Sequence, residues 1–168
     1  CLRKCPYCDF NSHNLPADGV DENAYLTALE ADLDASLPLI WGRRVVTVFI
    51  GGGTPSLFSG AAIDRLLSSL RARLPLIADA EVTMEANPGT FERARFADYR
   101  AAGVNRLSLG IQSFSDAKLK ALGRVHDRAQ ACAAAEAAAE LFETFNLDLM
   151  YALPEQTLPE LRADLTQA

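Results

Sequence analysis

Three cysteines crowd the first eight residues: Cys1, Cys5 and Cys8, spaced Cys-x3-Cys-x2-Cys. Thiolates can form disulfides, attack electrophiles or ligate soft metals, and the spacing narrows the choice. Disulfides among thiols so close along the chain are strained, and pairing any two leaves the third free. A structural zinc site needs four ligands, usually as two separated pairs. His13 is a candidate fourth ligand, so a zinc-stabilised module without redox chemistry stays open as a competing reading. An iron–sulfur cluster answers the pattern more fully, because its irons favour thiolates. Four irons held by three cysteines leave one iron open, where a small molecule can chelate directly. The segment Lys4-Cys5-Pro6-Tyr7-Cys8-Asp9-Phe10 has the loop-like composition that wrapping a cluster requires. Cys132 lies in an alanine-rich stretch, where core packing is its expected role.

Such a loop needs a scaffold, and the rest of the chain reads as alternating strands and helices. Four segments have strand character: Val45 to Ile50, Glu81 to Ala86, Arg106 to Ile111 and Thr144 to Met150. The first stops at the run Gly51-Gly52-Gly53, the second at Asn87-Pro88-Gly89. Helical spacing relates Tyr25, Leu26, Leu29, Leu33 and Leu37, and again Ile63, Leu66, Leu67, Leu70 and Leu74. Phe96, Tyr99 and Ala102 lead to Gly103, a plausible C-terminal cap. Ala129 to Leu141 favours helix by composition, and Thr157-Leu158-Pro159-Glu160 reads as a capping box. Crossovers this long make the strands parallel.

Side-chain parity chooses between an open doubly wound sheet and a barrel. A sheet covered by helices on both faces is nearly all apolar. Here one parity is polar or small: Glu81, Thr83, Glu85; Arg106, Ser108, Gly110, Gln112; Asn146, Asp148. The other is greasy: Val82, Met84; Leu107, Leu109, Ile111; Leu147, Leu149. One face packs on helices and the other lines a polar interior, which predicts a (β/α) barrel or part of one. Glu85 and Gln112 then sit at the strand ends where barrels keep their active sites.

The 168 residues are 49% hydrophobic and 23% charged, a globular balance in the size range of one domain. The formal net charge of −6 disfavours a nucleic-acid or anionic-membrane partner recognised by bulk charge. No apolar run reaches transmembrane length. The chain opens on Cys1 without a signal peptide and stops inside a helical pattern at Ala168. It therefore reads as a fragment, a single domain over residues 1–168, expected in the cytoplasm.

The three cysteines with an aromatic, Phe10, beyond the last, together with Gly51-Gly52-Gly53-Thr54-Pro55 after a strand, resemble the radical S-adenosylmethionine (SAM) superfamily. Within it, CPYCDFNSH, FIGGGTPS, MEANPGT, VNRLSLGIQSF, LGRVH and FNLDLMYALPEQT resemble the oxygen-independent coproporphyrinogen III oxidase-like family. The resemblance implies an α/β fold, a (β/α)6 barrel of which this chain lacks the first strand and the last part. It implies a [4Fe–4S] cluster on Cys1, Cys5 and Cys8. It also implies SAM contacts at Gly52, Gly53, Thr54, Glu85, Gln112, Arg124 and Asp148, three of which parity also places on the polar face. The oxidases carry a fourth cysteine two residues after the third; here that residue is Phe10, which can cover the cluster or pack on an adenine edge. An aromatic there is the pattern of the HemW-like heme chaperone branch. That branch implies heme or porphyrin as ligand and a respiratory heme-acceptor protein as partner. His13 and His126 are the only histidines and so the only candidate histidine axial ligands, an ordinary polar role being the expected one for each. The alternative is radical decarboxylation of coproporphyrinogen III, in which reductively cleaved SAM abstracts hydrogen from a propionate side chain.

Overall fold

A computed structural model describes residues 1–89 and 92–168; Thr90, the last residue of the MEANPGT stretch, lies outside them. After a loop of about twenty residues come α1 (Glu22–Ile40), β1 (Val45–Ile50), α2 (Gly60–Arg73), β2 (Leu76–Ala86), α3 (Glu92–Ala102) and β3 (Arg106–Gln112). Then follow α4 (Asp116–Ala121), α5 (Arg128–Leu141), β4 (Thr144–Leu149) and α6 (Leu158–Gln167). The sheet order is β1-β2-β3-β4, every pair parallel. A doubly wound sheet reverses its order partway; this one steps one way only, as a barrel wall does. The helices pack in the same succession, α1 on α2, α2 on α3 and α3 on α5.

The greasy parity faces the helices. Met84, Leu107, Leu109 and Ile111 are fully buried there against Leu67, Phe96 and Tyr99, each such side chain worth roughly 1.5–3 kcal/mol of burial. On α5 the contacts are alanines, Ala131, Ala134 and Ala138, all fully buried. Their small side chains let the helix lie close on the sheet.

Most expected elements appear, with adjusted boundaries. The α3 helix ends as foreseen at Gly103, whose φ of 109° is open to glycine. Val104 N–H reaches the Tyr99 carbonyl and Gly103 N–H that of Arg100, closing a Schellman turn. Thr157 and Glu160 form the capping box of α6. By contrast β2 starts at Leu76 rather than Glu81, with a register shift opposite Val45–Thr47. That irregular start hides the alternation by which the sequence marks a strand. The short α4 has no apolar period long enough to declare itself, and it was not foreseen.

Candidate functional site

The site sits at the carboxyl ends of the strands, beneath the N-terminal loop. That loop has no regular structure and is closed by hydrogen bonds across its neck. The Cys1 nitrogen lies 2.9 Å from the His13 carbonyl oxygen, and Leu15 N–H donates to the Cys1 carbonyl at 2.7 Å. Cys8 N–H donates to the Cys5 carbonyl at 3.1 Å, so the middle and last cysteines share one turn. Cys1, Cys5 and Cys8 are half-buried and unbridged.

Polar donors approach each sulfur. Thr54 Oγ1 lies 3.3 Å from Cys1 Sγ, Ser12 Oγ 3.7 Å from Cys8 Sγ and Arg124 Nη1 3.8 Å from Cys5 Sγ. A thiolate is stabilised by such neighbours. The three sulfurs line one cavity of about 500 Å³. Among the described residues, no three Cys, His, Asp or Glu side chains converge on a single-ion position. Three thiols facing one cavity are a soft donor set of the kind iron–sulfur clusters use. A Cβ added at Gly53 would stand 3.7 Å from Cys1 Sγ, in ordinary contact, which places this glycine beside the thiol.

The glycine turn after β1 forms the next wall. Gly52 has φ 122°, which L side chains rarely adopt, and its N–H donates to Glu85 Oε2 at 3.1 Å. The segment that follows the turn is held by Tyr99, a cavity-lining residue whose buried hydroxyl donates to the Phe58 carbonyl at 2.8 Å and lies 3.0 Å from that of Ser56. The floor is the polar face of the sheet. Asp148 accepts from Ser108 Oγ at 3.1 Å and from Asn146 Nδ2 at 2.7 Å.

Arg124 reaches into the site from the segment between α4 and α5. A loop arginine is usually solvated; this one is half-buried. Its Nη2 donates to Asn87 Oδ1 and to the Gly110 carbonyl, while Nη1 faces Cys5. Cys5 and Arg124 are 119 positions apart. Beside Gly110 lies the Gln112 amide: a Cβ on Gly110 would stand 3.0 Å from Gln112 Nε2 and 2.8 Å from Asn87 Oδ1.

The structure thus brings all eleven singled-out positions to one cavity wall: Cys1, Cys5, Cys8, Phe10, Gly52, Gly53, Thr54, Glu85, Gln112, Arg124 and Asp148. Phe10 lines it while 59% exposed, at the loop's outer rim. Sequence reasoning passed over Asn87 and Gly110 as functional candidates. Asn87 reads in the sequence as a strand stop; its place two residues after Glu85, on the same parity, is the signal that marks it.

The histidines stand elsewhere. His126 is buried, and its Nε2 donates to the Ile111 carbonyl at 3.1 Å. Burial, aided by the Arg124 charge, pushes it down to about 4, so it is neutral near pH 7. His13 is exposed, with Nε2 3.2 Å from Asn11 Oδ1. Neither lines the cavity. Cys132 packs against the helix-side core, as expected. No helix among the described residues is long and apolar enough to cross a membrane.

The Radical SAM superfamily profile matches residues 1–168. Escherichia coli heme chaperone HemW is 57% identical over 169 residues, covering all of this chain and 44% of that protein. Mycobacterium tuberculosis HemW is 44% identical, covering 96% of this chain and 42% of its own. The chain therefore spans less than half the length of these relatives. Coproporphyrinogen III oxidase from Escherichia coli, a radical SAM enzyme, superposes with TM-score 0.88 at 34% identity, covering 99% of this chain and 38% of that one. Similarity along the whole chain, over the sheet and the loops that meet at this cavity, shows that the protein belongs to the radical SAM superfamily, in its HemN/HemW-like family.

Proposed function

We propose that this chain is the cluster- and SAM-binding core of a cytoplasmic heme chaperone that passes heme to respiratory proteins. The observation that carries the binding part is the convergence of the three cysteines, the glycine turn and the polar strand ends on one cavity. Cys1, Cys5 and Cys8 would hold a [4Fe–4S] cluster, leaving one iron for the amino and carboxylate groups of SAM. Together the two groups supply one-electron reductive chemistry. Gly52 and Gly53 open the wall for the methionyl part. Arg124 offers its guanidinium to a carboxylate, and Glu85 and Asp148 present carboxylates suited to ribose hydroxyls or a sulfonium. Thr54 and Gln112 complete the polar lining, and Phe10 shields the rim from water. The chaperone assignment is supported by the HemW relatives and by Phe10, which can neither ligate metal nor donate a proton.

Decarboxylation of coproporphyrinogen III is the second reading, favoured by the close superposition on that oxidase. One experiment separates them. Full-length protein, reconstituted anaerobically, is assayed for heme transfer to an apo-acceptor and for conversion of coproporphyrinogen III. We expect heme to bind and transfer, with decarboxylation absent or at trace level. Multiple-turnover formation of protoporphyrinogen without heme transfer would reverse the assignment.

A further inference from the structure

Gln112 is one of three non-glycine residues with positive φ among those described, at 68°. Ser113 N–H donates back to the Ile111 carbonyl at 2.9 Å, so Gln112 is the centre of a γ-turn of the strained hand. The turn breaks the β3–β4 register between Leu109 and Gln112 and keeps the Gln112 amide in the cavity lining. An L residue keeps such a backbone only where its surroundings over-determine it. Two buried side chains outside the cavity do so. Asp164, on α6, accepts from Ser113 Oγ at 2.7 Å and from Phe114 N–H at 2.8 Å. His126 donates to the same Ile111 carbonyl that closes the turn. On the third side, Met150 N–H donates to the Gln112 carbonyl at 2.8 Å. Neither Asp164 nor His126 lines the cavity, so their hydrogen bonds act on the ligand site through the backbone they hold.

We infer that Asp164 and His126 are positioning residues that lock the Gln112 turn and thereby aim its amide at bound SAM. The inference rests on the SAM-binding reading above. Asp164 stands 52 positions after Gln112, so the site depends on α6 although no α6 residue lines it.

The test is a double-mutant cycle in full-length, anaerobically reconstituted protein, with SAM affinity read from its perturbation of the reduced cluster's EPR signal. Gln112→Ala and Asp164→Ala should each weaken SAM binding about tenfold, the loss of one good hydrogen bond. The double variant should bind no more weakly than Gln112→Ala alone, because Asp164 then has nothing to position. A merely structural role predicts additive losses, and additivity overturns the inference. Wild-type affinity in Asp164→Ala, with Gln112→Ala weakened, overturns it too. Unchanged affinity in Gln112→Ala instead overturns the reading that Gln112 faces SAM. Should Asp164→Ala not fold, Ser113→Ala removes the hydroxyl between Asp164 and the turn while leaving the bond to Phe114. It should show the same non-additivity, and wild-type SAM affinity in it counts against the inference.

Discussion

Gly110→Ala is the sharpest probe of the cavity floor. Gly110 lies in β3 without a positive φ, so glycine is there for space rather than for backbone freedom. An added Cβ would meet Asn87 Oδ1 at 2.8 Å, Gln112 Nε2 at 3.0 Å and Arg124 Nη2 at 3.4 Å. The first contact is too short to persist, so Asn87 must move. Its oxygen is the acceptor for Arg124, whose other nitrogen faces Cys5. Losing that charge-assisted bond costs about 1.5–3 kcal/mol of arginine placement, equivalent to roughly ten- to a hundredfold in ligand affinity. Crowding a packed site costs about 1–3 kcal/mol in stability, which a lowered melting temperature reports. Cluster content should stay near wild type, because the three sulfurs are untouched. The assay is an EPR-monitored SAM titration beside iron analysis and thermal melts of the reconstituted protein. SAM affinity within twofold of wild type would refute the claim that Asn87, Arg124 and Gln112 form one ligand-facing floor.

Two more outcomes follow from the same geometry. Changing Cys1, Cys5 or Cys8 to Ala should abolish a cluster of about four irons and four sulfides, while Cys132→Ala, in the helix-side core, should keep it; iron and sulfide analysis decides, and a normal cluster in Cys5→Ala would sink the ligand assignment. His126 is held down at about 4 against an ordinary 6.5, so the unfolded chain takes up its proton first as pH falls. Stability should therefore drop between pH 6.5 and 4, by roughly 3 kcal/mol from this group at about 1.4 kcal/mol per unit. In denaturant melts His126→Gln, which keeps a donor for the Ile111 carbonyl but cannot titrate, should flatten that slope; an unchanged slope would place the titrating group elsewhere.

The chemistry of this protein was legible where it is local. Cysteine spacing reports a thiolate set because ligands on one short loop must be near in the sequence to be near in space. Strand parity reported the polar interior because the period of two is a property of the extended backbone, and it placed Glu85, Gln112 and Asp148 on one face before any fold was known. The one-directional strand order then turned that face into a barrel lining. What the sequence did not declare depends on distance and on backbone detail. Arg124 was marked by the family resemblance and by no local pattern, and only the folding of the segment between α4 and α5 carries it to Cys5 and Asn87. The space kept by Gly110, the left-handed turn at Gln112 and the reach of Asp164 from α6 leave no periodic signal, because each depends on partners more than ten residues away as well as on neighbours. Local pattern chose the ligands and the faces; long-range packing chose which neighbours hold them in place.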